Sequence, residues 1–239
     1  LRYDAAMVCG LRLGSFVLES EIGRGGMARV FSARHLESDR PVALKVLLPE
    51  RAARPDFIEA FRLEVQAVAR LDHPRVVAVY DHGVVGPSEL ADGQIPAGCP
   101  WLAMELVEGG STRTLAGQLE WPDLRGVLLG VLDGLAHAHA RGLVHRDIKP
   151  ANVLFESRGR GVKLTDFGLA RSIGSALGGR DGQEVQGTPS YMAPEQWECR
   201  WQDFGPWTDL YSLGAMAWTM ATGHPPYRGK MHEVMLSHQ

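Results

Sequence analysis

The chain changes its hydrophobic rhythm part-way along, and the change points to an α+β fold in two parts. Between Phe16 and Leu47, three short runs carry alternating or β-branched apolar residues with turn residues between them. Phe16–Ile22, Ala28–His35 and Pro41–Leu47 are therefore expected as strands. Pro55 opens a helical pattern in which Phe57, Phe61, Val65 and Val68 share a face, and Asp72-His73-Pro74 ends it. Val76–Tyr80 and Trp101–Val107 read as two further strands, and Gly83–Pro100, rich in Gly and Pro, as an exposed loop. After Gly109-Gly110 the period becomes helical: Leu124, Leu128, Val131, Leu132 and Leu135 line one face of a helix that runs to Ala140. Short β-like runs follow at Val144 and Val162–Leu164, and Trp207–Ala221 is apolar enough for a buried helix.

Three segments carry chemistry. Ile22-Gly23-Arg24-Gly25-Gly26-Met27-Ala28-Arg29-Val30 is a glycine-rich turn between strands, where backbone N–H groups can approach phosphate oxygens with no Cβ in the way. Taken alone, such a turn is more often structural. Val42-Ala43-Leu44-Lys45 then sets a lysine in an apolar strand, which is costly unless it meets an anion, and Glu64 on the next helix is a candidate partner. The strongest signal is His145-Arg146-Asp147-Ile148-Lys149-Pro150-Ala151-Asn152, followed in order by Asp166-Phe167-Gly168 and Ala193-Pro194-Glu195. A surface turn could have the composition of the first run; chance does not give the three in this order.

These motifs resemble the Ser/Thr protein kinase family, and the Gly-Gly-Met stretch, the segment from Arg70 to Tyr80 and Pro194-Glu195-Gln196 look most like its bacterial members. The role assignments that follow are the family's own template. The resemblance covers Phe16 to Tyr227. It implies a two-lobed fold with a five-stranded N-lobe over 16–106 and a helical C-lobe over 107–239, after an extension over 1–15. Gly23, Gly25 and Gly26 would cover the phosphates of ATP. Lys45 would hold them and pair with Glu64. Asp147 would orient the substrate hydroxyl and accept its proton. Lys149 would offset charge on the moving phosphoryl group, and Thr188 would brace Asp147 and Lys149. Asn152 and Asp166 would hold Mg²⁺ or Mn²⁺. Ile22, Val30, Ala43 and Leu154 would sandwich the adenine, with Met104 behind it and backbone groups of Glu105 and Val107 at its edge. Val68, Val79, His145 and Phe167 would stack into a spine anchored by Asp209. Each apolar residue in that set, taken alone, reads as ordinary core. Lys149 and Thr188 mark Ser/Thr rather than Tyr kinases.

The chain departs from the family pattern in three places. Ala28 stands where the third glycine of the phosphate loop is usual. The sequence given stops soon after Gly223–Tyr227, short of the last C-lobe helices and of the usual arginine partner of Glu195. The segment from Asp166 to Glu195 is poor in hydroxyls, and Glu184 stands four residues before Thr188, where many kinases carry a phosphothreonine. Glu184 is thus a candidate to pair with Arg146 in place of an activating phosphate, against the plainer reading of a solvated loop residue.

Other features bound the function. Cys9, Cys99 and Cys199 lack disulfide or zinc spacing, so a reducing, cytoplasmic setting is expected. A formal net charge of −3 gives no reason to expect a nucleic-acid partner, and no apolar run is long enough to span a bilayer. His137 and His139 are not at i, i+4 spacing, the other histidines are scattered, and no metal site is expected among them. Trp197, Trp201 and Trp207 read as packing residues. The expected partners are ATP and proteins that present Ser or Thr. Two alternatives carry less weight: a pseudokinase acting as an interaction module, which the intact Lys45, Asp147, Asn152 and Asp166 oppose, and a small-molecule kinase of the aminoglycoside phosphotransferase type, which lacks the Gly187–Glu195 segment.

Overall fold

The computed structural model describes residues 10–25, 28–47, 55–86, 95–157, 161–167 and 189–238. The chain divides into two compact units, one of Leu1–Ala69 with Ala78–Leu106 and one of Arg70–Val77 with Val107–Gln239.

The first unit is a six-stranded antiparallel sheet with one helix. Its strands are β1 (Arg12–Leu13), β2 (Phe16–Arg24), β3 (Ala28–His35), β4 (Pro41–Leu47), β5 (Val79–Val84) and β6 (Pro100–Glu105), in the order β1-β2-β3-β4-β6-β5. That is one strand more than the five expected, because Leu13, fully buried, pairs with Phe16 and extends the sheet edge. Directly opposed residues share a face of a sheet. One face therefore carries Phe31, Ala33, Val42, Leu44, Val46, Trp101 and Ala103, and these form the main core with Leu13, Phe16, Leu18, Val85, Ile95 and Cys99. Val85 and Ile95 lie inside the segment expected as an exposed loop over Gly83–Pro100, yet both are buried in this core. Helix α1 (Pro55–Val68) turns Phe57, Phe61, Val65 and Val68 inward at the expected spacing and packs on β5 and β6.

The second unit is helical. Its longest element, α2 (Trp121–His139), begins with Pro122 and Asp123, which suit a helix N-terminus, and buries Leu124, Val127, Val131, Leu135 and Ala138 against β8 (Val162–Leu164) and α4 (Pro206–Thr222). Gly134 lets the backbone of Arg75 approach: a Cβ there would lie 3.0 Å from Arg75 O and 3.0 Å from Leu164 Cδ1. β8 pairs with β7 (Val153–Phe155). Helix α3 (Pro194–Trp197) precedes α4, which ends at Gly223 in the left-handed conformation that a Cβ disfavours (φ +80). Helix α5 (Met231–His238) packs on α3 and on the 3₁₀ turn Pro189–Tyr191.

Several local expectations shift. Val76 and Val77 bridge to Leu164 in the second unit, and the strand expected there begins at Val79. Val144 is half-buried but in no strand. Helix α4 buries only one side, since Trp207, Leu210 and Trp218 are exposed. Trp197 is buried as expected, whereas Trp201 is half-exposed and Trp207 is 60 % exposed.

Candidate active site

The segment from His145 to Asn152 is held by a buried carboxylate. Asp209, on α4 and fully buried, accepts the amide hydrogens of His145 (2.8 Å to Oδ2) and Arg146 (2.7 Å to Oδ1). Its Oδ2 also lies 2.7 Å from His139 Nε2 at the end of α2. Arg146 takes φ +67, which is strained for a side chain of that size, and the bond to Asp209 fixes it there. His145 has no exposed surface; its Nε2 donates to Thr165 O at 2.9 Å, so Nδ1 is the acceptor for the Asp147 amide at 3.3 Å. Its ring lies 4.4 Å from that of Phe167, so two of the four spine residues meet; Val68 and Val79 belong to the first unit.

This support presents a small polar cluster. Asp147 Oδ2 accepts from Lys149 Nζ at 2.6 Å and from Asn152 Nδ2 at 3.0 Å, and Asn152 Nδ2 also donates to Asp147 O at 2.8 Å. Asp147 Oδ1 takes no hydrogen bond among the described residues. Asn152, 4 % exposed, ends the 3₁₀ turn Pro150–Asn152, and its carbonyl accepts Thr165 N at 3.0 Å. That bond brings the Asn152 backbone beside the chain leading to Asp166, which holds φ +66. Because the Asn152 amide hydrogens are turned toward Asp147, its Oδ1 is left as an oxygen donor. Asn152 Oδ1 and the Asp166 carboxylate are oxygen donors of the hard kind that Mg²⁺ or Mn²⁺ prefers. Among the described residues no group of three or more His, Cys, Asp and Glu could hold a metal, which is compatible with a cation bound largely through phosphates.

The first unit carries the other candidates. Gly23 opposes Val30, Val30 opposes Lys45, and Ala43 opposes Met104. The register therefore sets Gly23, Val30, Ala43, Lys45 and Met104 on one face, opposite the main core. Ala43 and Met104 are 5 % and 8 % exposed, Lys45 and Val30 are half-buried, and Ile22 is 51 % exposed, unlike a core residue. Glu64 on α1 is half-buried, with Oε1 out of solvent. Glu105 N donates to Ala78 O at 2.8 Å, so that N–H is already committed. Gly25 N donates to Ala28 O at 2.9 Å, and Ala28 is buried in its strand without needing a glycine. Leu154 on β7 and Val107 belong to the second unit. Gly26, Thr188 and Glu184 lie outside the described residues.

The Protein kinase domain family matches residues 16–239. The chain belongs to that family. One similar bacterial protein is Serine/threonine-protein kinase PknL of Mycobacterium tuberculosis, 41 % identical over 217 residues that cover 90 % of this chain and 51 % of PknL. Another is Probable serine/threonine-protein kinase PknB of Bifidobacterium longum, 38 % identical over 231 residues, 95 % of this chain and 33 % of that protein. Among solved structures, a mutant form of the Mycobacterium tuberculosis PknI kinase domain is similar, with a TM-score of 0.71 and 27 % identity over 95 % of this chain and 80 % of the other. The chain spans about half the length of the PknL proteins it matches. It has the two-lobed kinase fold, and a kinase domain implies ATP as co-substrate. None of the described helices is long and apolar enough to cross a membrane.

Two supports of the candidate site have no clear mark in the sequence. His139 reads there only as a helix histidine without i, i+4 spacing to another, yet it reaches Asp209. Gln196 donates from Nε2 to Arg146 O at 2.8 Å and accepts the Ala193 amide at 3.0 Å, tying α3 to the catalytic segment. Glu195 also has a partner: the Thr208 hydroxyl donates to its Oε1 at 2.7 Å and accepts from Gly205 N at 3.1 Å.

Proposed function

We propose that this kinase domain transfers the γ-phosphoryl group of ATP to serine or threonine hydroxyls of proteins. The observation that carries the reading is the Asp147 carboxylate. One oxygen is bonded to Lys149 and Asn152, and the other is left for a substrate hydroxyl. Asp147 Oδ1 accepts that hydroxyl's hydrogen bond, aims its oxygen at the γ-phosphorus and takes its proton. The new O–P bond forms as the bond to the β-phosphate oxygen breaks and ADP leaves. Lys149 has three N–H donors and gives one to Asp147, so two remain to offset charge on the moving group. Phosphoryl transfer demands mainly positioning and charge neutralisation, which this cluster supplies.

Asn152 and Asp166 would hold a divalent cation, Mg²⁺ or Mn²⁺, which when bound neutralises phosphate charge. The amides of Gly23, Gly25 and Gly26 would cover the phosphates, and Lys45, set by Glu64, would hold them. Ile22, Val30, Ala43, Met104 and Leu154, with backbone groups of Glu105 and Val107, would receive the adenine. Thr188 would brace Asp147 and Lys149. A lobe boundary near Val107 and action in the cytoplasm on proteins rather than nucleic acid belong to the same reading. Pairing of Glu184 with Arg146 would let the kinase act with little loop phosphorylation. After phosphatase treatment, the Glu184→Ala full-length protein should then be slower than the parent, and equal rates would refute the pairing.

The deciding test uses the full-length protein, radiolabelled ATP and a generic Ser/Thr protein substrate. Asp147→Asn should lower transfer by at least about 100-fold, the usual size of a general-base contribution, while Mg·ADP still binds. A variant that transfers at near the parent rate would sink the assignment.

A further inference from the structure

Two arginines face each other across the base of the glycine hairpin. Arg24, near the end of β2, is the register partner of Arg29 on β3. Like charges directly opposite one another destabilise a strand pair. Between them stands one carboxylate. Glu21 Oε1 accepts from Arg24 Nε at 2.6 Å, and its Oε2 accepts from Arg24 Nη2 at 2.8 Å, Arg29 Nη2 at 2.6 Å and Arg29 Nε at 3.1 Å. The Glu21 and Arg29 side chains are 14 % and 9 % exposed, and the Arg29 guanidinium lies 4.8 Å over the Phe31 ring. The Arg29 arm is therefore shielded from solvent, whereas the Arg24 arm reaches the surface, its side chain 51 % exposed.

The backbone explains why Glu21 reaches both. Residues three apart on a regular strand point to opposite faces. The β2–β3 ladder, however, has a register shift between Glu21 and Gly23, so Glu21 opposes Phe31 while Arg24 opposes Arg29. Phe31 and Arg29 share a face, and so therefore do Glu21 and Arg24. It is the face away from Gly23, Val30 and Lys45. The network lies behind the loop and cannot itself cradle phosphates.

We propose that Glu21 is a positioning residue for nucleotide binding, locking the two strands of the glycine hairpin together and holding Arg24 and Arg29 behind it. The idea rests on the kinase reading above. Without the carboxylate the two cations repel across β2 and β3, and the backbone at Gly23 and Gly25 loses its fixed spacing from β3. Arg24 and Arg29 also hold the Glu21 carboxyl at about 2, against the opposing effect of burial, so the lock is charged at every working pH.

The test is Mg·ADP affinity by calorimetry, with the KM for ATP, kcat and the KM for protein substrate, on the full-length kinase. Loss of one shielded ion pair predicts that Glu21→Gln weakens Mg·ADP binding and raises the KM for ATP by about fivefold. The effect on kcat should be smaller and the KM for the protein substrate should stay put. Glu21→Asp should recover part of the loss. Adding Arg29→Met to Glu21→Gln should recover part of it as well, because the repulsion is gone. If Glu21→Gln is insoluble, Glu21→Asp alone, whose shorter side chain cannot hold both arginines as closely, should move nucleotide affinity in the same direction by a smaller factor. A parent that binds ADP and a Glu21→Gln variant of equal affinity would overturn this proposal alone. So would equal losses in kcat and in both KM values, the mark of a general loss of structure. A parent that binds no nucleotide would overturn the kinase reading as well.

Discussion

Asp209→Asn removes little volume yet should damage both stability and turnover. The native carboxylate offers two acceptor oxygens to two backbone N–H groups, at 2.8 Å and 2.7 Å, and it has no exposed surface. An amide has one acceptor oxygen, so either His145 N or Arg146 N would face an NH₂ group. A buried donor left unsatisfied costs about 1–3 kcal/mol. For a domain of this size each kcal/mol lowers the melting point by about 2–4 °C, so a fall of about 2–12 °C is expected. Asp209→Ala strands both donors and should cost about 2–6 kcal/mol, a large share of the roughly 5–15 kcal/mol that a domain usually holds. Since the stranded groups belong to the catalytic segment, Asp209→Asn should also slow transfer at temperatures where it is fully folded. The assay is scanning fluorimetry on the full-length protein, with the kinase transition identified by its rise with Mg·ADP, alongside radiolabelled transfer. A transition within about 1 °C of the parent would refute the idea that Asp209 carries these bonds, because one stranded donor alone predicts a larger fall.

Two further outcomes follow from the same geometry. Leu135→Ala on α2, where the side chain is 1 % exposed, should cost about 2–5 kcal/mol, read as a lower denaturant midpoint with an unchanged slope. The folded Glu21 carboxyl titrates near 2, first because of the Arg24 hydrogen bond, against an ordinary value of 4.5. Its contribution is therefore complete above 4.5 and is lost as pH falls from there toward 2. The melting difference between parent and Glu21→Gln should accordingly narrow over that window, and a difference that stays constant would contradict the ion-pair reading.

Much of the fold was legible because its signals are local. The strands at Ala28–His35 and Pro41–Leu47 and the inner face of α1 follow directly from period, and α2 ends within a residue of the expected Ala140. What the sequence hid were choices between partners. Val76 and Val77 are as β-prone as Val79, yet they join Leu164 within the second unit, and nothing local distinguishes a bridge from a strand. Tryptophan tells little about burial, since Trp197 and Trp207 share a composition class and differ in environment. The Asp147, Lys149 and Asn152 cluster was readable because its members lie close together in sequence. The Asp209 link to His139 spans 70 positions and needed the fold to show it.

Strain and chemistry sit on neighbouring residues in the second unit. Arg146 and Asp166, both with positive φ, precede Asp147 and Phe167. Each such conformation costs on the order of 1–3 kcal/mol and persists only where surrounding bonds over-determine it. Here those bonds can be named. Asp209 takes the Arg146 amide, Gln196 gives to the Arg146 carbonyl, and the His145 ring donates to the carbonyl of Thr165, just before Asp166. The three supports come from α4, α3 and the catalytic segment itself. Loosening any one of them should release strain beside the residues proposed to act, Asp147 and Asp166. Mutations at Asp209, Gln196 or His145 should therefore resemble catalytic lesions in activity assays although none of these side chains touches a reacting atom.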